Sequence, residues 1–219
     1  MSIHTHTRRG RTGGYTLLEM SIVLVLLAMV IGAITTVGSS SDRTYRTGTT
    51  AAHLEAQAET AVARIVSELR IARRASLTPD PTPGAGSVVI EYVQPVGITN
   101  GTVQWGPPRR LALELAAREL DDGIDNDGNG LVDEGRVVLT EDLGGPGERR
   151  HVITRWVREL AAGEVANGLD DNGNGLVDEP GFLVERFGET LVVRLTLEQK
   201  DGEGRLRARS ARTSARMRN

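Results

Sequence analysis

Residues 13–37 read Gly13-Gly14-Tyr15-Thr16-Leu17-Leu18-Glu19 followed by MSIVLVLLAMVIGAITTV, and this stretch decides how the rest of the chain is read. Met20 to Val37 are 18 residues without a charge, and starting at Tyr15 gives 23 residues whose only charge is Glu19. A helix rising ~1.5 Å per residue over that length covers ~35 Å, enough for a hydrocarbon core of ~30 Å. A buried core helix competes poorly, because a chain with two Trp, three Tyr and two Phe offers little core for so uniform a cylinder. An ordinary secretory signal is a closer competitor, since Arg8, Arg9 and Arg11 precede the run. Against it, no A-x-A-like site follows, and the run exceeds a usual signal core. The basic leader is expected to stay cytoplasmic, which places everything after Val37 outside the cytoplasm.

Glu19 is the anomaly in this segment. A carboxylate near the start of a membrane helix is costly unless it reaches the interface or meets a cation. In order, a basic leader ending in Gly, an aromatic residue, Thr-Leu-Leu-Glu and an apolar helix resemble the N-terminus of type IV prepilins and type II secretion pseudopilins. The resemblance implies that Gly14 is the last leader residue, cut by a prepilin peptidase, and that Tyr15 becomes the methylated new N-terminus. It implies that Glu19 attracts the amino terminus of a neighbouring subunit during assembly, an ion pair that a low-dielectric bilayer strengthens. The family usually carries Phe where this chain has Tyr15. The expected fold class is α+β and pilin-like, with a long N-terminal helix, transmembrane half plus amphipathic half, packed on an antiparallel β-sheet. The expected partners are the peptidase, the membrane, and other pilins or pseudopilins met through the N-terminal helix. The expected location is the inner membrane, crossed once, with the head in the periplasm or outside and the chain incorporated in a pilus or pseudopilus.

The segments expected are a leader at 1–14, an assembly helix at 15–38, an amphipathic helix at 39–77 and a β head at 78–219. Ser39-Ser40-Ser41-Asp42 reads as a polar break or cap. Helical periodicity resumes from Ala51 to Ala75, where Leu54, Ala58, Val62, Ile65 and Leu69 recur at steps of four or three. Thr78-Pro79-Asp80-Pro81-Thr82-Pro83-Gly84 ends it, since three prolines in five residues cannot continue a helix. Short β-branched or alternating runs follow at Ser87–Val93, Arg110–Leu115, Arg136–Thr140, His151–Trp156, Phe182–Phe187 and Leu191–Leu197. Asp201-Gly202-Glu203-Gly204 supplies turn chemistry for a last hairpin into Arg205–Arg209.

Within the head, Asp125-Asn126-Asp127-Gly128-Asn129-Gly130-Leu131-Val132-Asp133-Glu134 returns 45 residues later as Asp170-Asp171-Asn172-Gly173-Asn174-Gly175-Leu176-Val177-Asp178-Glu179, with eight of ten positions identical. Oxygen side chains at alternate positions 1, 3 and 5 with Gly at 6 suit a tight loop around a hard cation. An EF-hand would carry a bidentate Glu at position 12, yet that position holds Arg136 and Phe182. The loops resemble instead the shorter calcium loops of dockerin, thrombospondin type 3 and excalibur-like modules. Oxygen ligands without His or Cys favour Ca²⁺. The expected ligands are Asp125, Asp127, Asn129, Asp133 and Glu134 in the first loop (121–134), and Asp170, Asn172, Asn174, Asp178 and Glu179 in the second (167–179). Each loop is expected at the tip of a hairpin, and the first is expected to bind more tightly because Asn172 replaces Asp127.

Charge follows the same segregation. The net charge of -3 averages an acid-free leader, ten of 29 acids within the 27 loop residues, and a basic end with six Arg after Lys200, the only lysine. The Arg205–Arg218 run is read as a solvated strand face, not a surface for nucleic acid. Absence of Cys excludes disulfides and thiolate chemistry. His4, His6, His53 and His151 lack the spacing of a catalytic triad or metalloprotease, and carboxylates in Gly-rich loops are poorly held for acid–base work. No enzymatic activity and no small-molecule substrate are expected. The function expected is a structural one, a minor pseudopilin-like subunit of a type II secretion pseudopilus. The alternatives are a minor type IV pilin, or a membrane-anchored calcium-dependent adhesion module that does not polymerise.

Overall fold

The computed structural model describes residues 16–217 and has an α+β architecture in two compact units, one up to Tyr45 and one from Arg46. The leader, Gly14 and Tyr15 lie outside the described residues, as do Arg218 and Asn219.

Helix α1 covers Leu17–Arg70. Its start is a capping box: the Thr16 N–H and hydroxyl donate to Oε2 of Glu19 at 2.8 and 3.0 Å, and the Glu19 N–H donates back to the Thr16 hydroxyl at 3.2 Å. Leu17–Thr36 is an apolar stretch of 20 residues with none of it buried, a length and composition that fit a single membrane span or a signal sequence. The hydroxyls in it are turned back onto the helix, with Ser21 bonding the Leu18 carbonyl, and Thr35 and Thr36 that of Gly32. Such bonds satisfy a hydroxyl on the helix's own carbonyls, as an apolar surrounding requires.

Ser39–Asp42 does not break the helix. Serine costs only about half a kcal/mol against Ala in a helix interior, and without a Pro the run is carried through. The helix also stops earlier than expected, at Arg70, and a 3₁₀ turn covers Arg74–Ser76. The Arg73 N–H has left the helical ladder and bonds the Val93 carbonyl at 2.9 Å.

In the second unit, nine strands follow: β1 (Val89–Tyr92), β2 (Pro95–Thr99), β3 (Thr102–Trp105), β4 (Arg109–Leu115), β5 (Gly135–Glu141), β6 (Arg149–Val157), β7 (Phe182–Phe187), β8 (Thr190–Lys200) and β9 (Leu206–Arg216). Seven form one antiparallel sheet in the order β1-β4-β5-β6-β8-β7, with β9 on the other side of β8. Ser87, just before β1, exchanges hydrogen bonds with Val184 of β7, so the two ends of that order are bridged. Strands β2 and β3 form a separate hairpin, turned at Asn100 and Gly101. Both turn residues have positive φ, the conformation two-residue hairpins require and Asn-Gly supplies most readily.

The core lies between the last turns of α1 and this sheet. Leu54, Ala58, Ala61, Val62, Ile65 and Leu69 form the helix stripe, packed with Ile90, Tyr92, Leu111, Val137, Leu139, Phe182, Val184, Leu191, Val193, Leu195 and Leu197. Glu68 ties the helix to the strands: Arg109 of β4 donates to Glu68 at 2.7 Å and to Glu141 of β5 at 2.5 Å, while Gln94 donates to the Glu68 carboxylate at 2.9 Å. Burial beside Glu68 pushes the Tyr92 hydroxyl well above its usual range, keeping it neutral.

A bulge in β6 positions the acidic loops. Gly135 pairs with Val157 and Val137 with Thr154, so Arg155 and Trp156 together face Arg136, and Trp156 takes a left-handed φ of 59°. Val157 then pairs with Gly135 on one side and Leu197 on the other. The end of the first loop and the start of the second are thereby set side by side.

Candidate metal centre

The first loop leaves β4 at Leu115 and returns at Gly135, its registered partner. Its neck is closed by the Ala116 N–H on the Glu134 carbonyl at 2.9 Å. Inside, the polar side chains fold onto the loop's own backbone. Asp125 accepts the N–H groups of Gly128 and Gly130, both at 2.7 Å, Asp127 accepts that of Asn129, and Asn129 accepts that of Leu131. These are the local bonds by which Asp and Asn replace regular secondary structure in turns. Gly128 and Gly130 sit at φ 78° and 89°, where a side chain would be strained. The ammonium of Lys200 also packs on Gly130, where a Cβ would overlap its Nζ.

The second loop repeats this bond for bond. The Ala161 N–H closes the neck on the Glu179 carbonyl at 2.9 Å, Asp170 accepts Gly173 and Gly175, Asn172 accepts Asn174, and Asn174 accepts Leu176. The φ angles of Gly173 and Gly175, 72° and 88°, match their counterparts. One expectation is corrected here. The first loop does tip the β4–β5 hairpin, but β6 and β7 do not pair along their lengths, and the second loop is a crossover pinched by the single bridge Leu160↔Pro180. Both strands instead need the same edge of β8, with β6 taking Leu197 and β7 taking Thr190–Leu195.

The expected ligands divide into two groups. Asp133 and Asp178 turn back to the entrance of their loops: Asp133 accepts the N–H groups of Asp122 and Gly123 at 3.3 and 2.8 Å, and Asp178 those of Asn167 and Gly168 at 3.1 and 2.7 Å. They clasp the two ends of each loop. Asp125 and Asp127 converge on a residue the sequence reading passed over, Glu119, with oxygens of all three within 4.8 Å of one another. Glu119 accepts the Asp127 N–H at 2.9 Å and, more weakly, that of Asn126 at 3.4 Å. Asn129 and Glu134 join through a bond of 2.6 Å from Nδ2 to Oε1. In the second loop, Asn172 and Asn174 both donate to Oε1 of Glu179, and Glu164 accepts the Asn172 N–H at 3.0 Å.

These clusters are electrostatically unbalanced. Glu119, Glu134, Glu164 and Glu179 are 5, 2, 1 and 4% exposed. Oε2 of Glu134, of Glu164 and of Glu179 is buried with no hydrogen-bond partner among the described residues. Burial pushes the Glu134 carboxyl above the usual range, Asn129 opposes the shift by donating to it, and the charges of Glu119 and Asp127 add to it. A second acidic group, Asp121, Asp133 and Glu159, lies where the two loops adjoin. There, burial followed by the charges of Asp133 and Asp121 raises Glu159. Clusters of this composition could hold a metal ion, and oxygen donors without nitrogen or sulfur suit a hard cation.

Glu119 was legible in the sequence. The repeat extends upstream at the same offset, Ala116-Ala117-Arg118-Glu119 against Ala161-Ala162-Gly163-Glu164. Arg118 and Gly163 both take positive φ, 79° and 92°, so the shared geometry begins before the acidic motif does. No family model, no curated protein and no solved structure matches the chain.

Proposed function

We propose that the chain is a structural subunit, pseudopilin-like, held in a membrane and assembled through its N-terminal helix, with a head stabilised by calcium. The observation that carries this reading is the division of labour along α1: Leu17–Thr36 is apolar and exposed throughout, whereas Leu54–Leu69 supplies the stripe on which an antiparallel sheet packs. The order of basic leader, Gly14, Tyr15, Thr16, Glu19 and apolar run supports the type IV prepilin and type II secretion pseudopilin resemblance. On this reading a prepilin peptidase cuts after Gly14, Tyr15 is methylated, and Glu19 draws in the amino terminus of the next subunit. A minor pseudopilin and a minor type IV pilin share all of these features.

Calcium is the cation proposed for both loops. The oxygen-only donor sets and the orphaned buried Oε2 atoms fit it, because a divalent ion offsets several carboxylates at once. Binding to the folded head alone would stabilise it by mass action.

One observation favours the second reading, an anchored calcium-dependent adhesion module that does not polymerise. The Glu19 carboxylate is already engaged by Thr16 of its own chain, which gives it a local role without a neighbour. Replacing Glu19 by Ala separates the two. Loss of co-assembly with other pilins, with membrane insertion retained, supports the subunit reading; co-assembly at the wild-type level overturns it.

A further inference from the structure

The loops lack the one ligand that closes an EF-hand, and the fold shows why position 12 cannot supply it. Arg136 lies in β5 opposite Glu114, and Phe182 is buried in the core at the start of β7. We infer that each site is closed from the other side of the loop, by Glu119 in the first and Glu164 in the second, acting as direct ligands of the cation. The inference deepens the calcium reading above and rests on it.

Three observations carry it. First, placement: oxygens of Glu119, Asp125 and Asp127 lie within 4.8 Å of one another, a separation that one ion bridges. Second, an unmet demand: Glu164 is 1% exposed, its Oε1 accepts the Asn172 N–H, and its Oε2 has no partner. Glu179 and Glu134, whose other oxygens are held by the loop asparagines, likewise keep a buried unpartnered Oε2. Among the described residues no Arg, Lys or His forms an ion pair with Glu119, Glu134, Glu164 or Glu179. Buried carboxylates without a cation are costly, and among the described residues none of the four is ion-paired, although the Lys200 ammonium packs on Gly130 of the first loop. Third, the repeat itself: positions 121/166, 122/167, 126/171 and 127/172 differ between the copies, while Glu119/Glu164, Asp125/Asp170 and Glu134/Glu179 are the same in both.

Glu164 thus has two tasks, holding the loop backbone through Oε1 and binding the ion through its unpartnered Oε2, whereas Glu119 holds the backbone through Oε1 and, more weakly, Oε2 and binds the ion with the lone pairs those two bonds leave. Glutamine separates the two tasks, because its carbonyl can still accept the loop N–H but its charge is gone. The experiment is a Ca²⁺ titration of the full chain in detergent micelles, counting sites by competition with a chromophoric chelator, with melting followed in chelator alone. Wild type is expected to bind two ions. Glu119→Gln and Glu164→Gln are each expected to weaken one site, and only one, by at least the 10–100-fold typical of even outer-shell ligand changes. Each should leave melting in chelator unchanged or raised, since a buried charge has been removed. The inference is overturned if both glutamine variants keep two sites of wild-type affinity while Asp125→Asn and Asp170→Asn lose them, a result that leaves the calcium reading standing. It is also overturned if the glutamine variants melt lower in chelator and lose both sites together, the outcome for a purely structural residue. A wild-type chain that binds no Ca²⁺ at millimolar concentration overturns both readings.

Discussion

Nδ2 of Asn129 donates to Oε1 of Glu134 at 2.6 Å, and Oε2 of the same carboxylate is left buried without a partner. The loop thus holds the glutamate in place while half of its hydrogen-bonding capacity stays unmet. Asn174 does the same for Glu179 in the second copy. An arrangement repeated with the same deficit is what a cation site requires, and calcium is expected to decide how stable the head is. With Ca²⁺ at about 100 times its dissociation constant, one site adds about 2.7 kcal/mol. For a domain of this size that corresponds to about 5–10 °C in Tm. Asp125→Ala combined with Asp127→Ala should remove the first site's share of that rise. Equal melting curves in chelator and in millimolar Ca²⁺ would contradict it.

The two copies should differ in affinity. Asn172 stands where the first loop has Asp127 and donates from Nδ2 to Oε1 of Glu179 at 2.9 Å, so the second site has one carboxylate fewer. Asn172→Asp is expected to tighten that site by about tenfold and leave the first unchanged, as ligand charge count tunes such loops. Titration with a chelator competitor resolves the two steps.

Independently of metal, the head depends on the bridge formed by Arg109. Its guanidinium joins Glu68 of α1 to Glu141 of β5, with all three side chains largely shielded. Arg109→Ala removes the guanidinium that bridges Glu68 and Glu141, and is expected to cost about 2 kcal/mol. Denaturant unfolding in chelator measures it. Arg109→Lys should restore only part, since an ammonium cannot span both carboxylates in one plane.

Acid sensitivity has a specific source at the last hairpin. Oδ1 of Asp201 accepts the N–H groups of Glu203 and Arg205, and Oδ2 accepts Nε of Arg207. The Arg205 N–H leads in holding its carboxyl below the usual aspartate range, with Glu203 and Arg207 adding to it. A folded value below the unfolded one contributes stability that is full above the unfolded aspartate value and lost as pH falls through the folded one. Wild-type stability in chelator should therefore decline with acid more steeply than that of Asp201→Asn, and the two curves should converge at low pH. Parallel curves would show that Asp201 carries no such linkage.

Much of this architecture was readable from the chain. The i, i+3, i+4 pattern from Leu54 to Leu69 gave the helix face that is now the core, and β-branched runs located β1 and β4–β8. The β2–β3 hairpin was missed although Asn100-Gly101 is a strong hairpin signal, because Pro95 and Gly97 break the alternation that marks a strand. Ser39–Asp42 read as a break because polar residues interrupt an apolar pattern, yet nothing in them forbids helical backbone. The crossover at the second loop could not be read locally, since it follows from which strand β8 accepts at each position. Glu119 and Glu164 lie upstream of the Asp- and Asn-dense stretch that makes the repeat conspicuous. Their role depends on burial, which sequence spacing does not reveal.

On the proposed reading this chain is processed and assembled as a prepilin-like subunit. Intact-mass spectrometry of the chain recovered from membranes of cells with and without a prepilin peptidase tests it most directly. A mature chain beginning at N-methylated Tyr15 is expected when the peptidase is present, and the uncleaved leader when it is absent. A chain that keeps its leader in both, or one cut after the apolar run regardless of the peptidase, would contradict it.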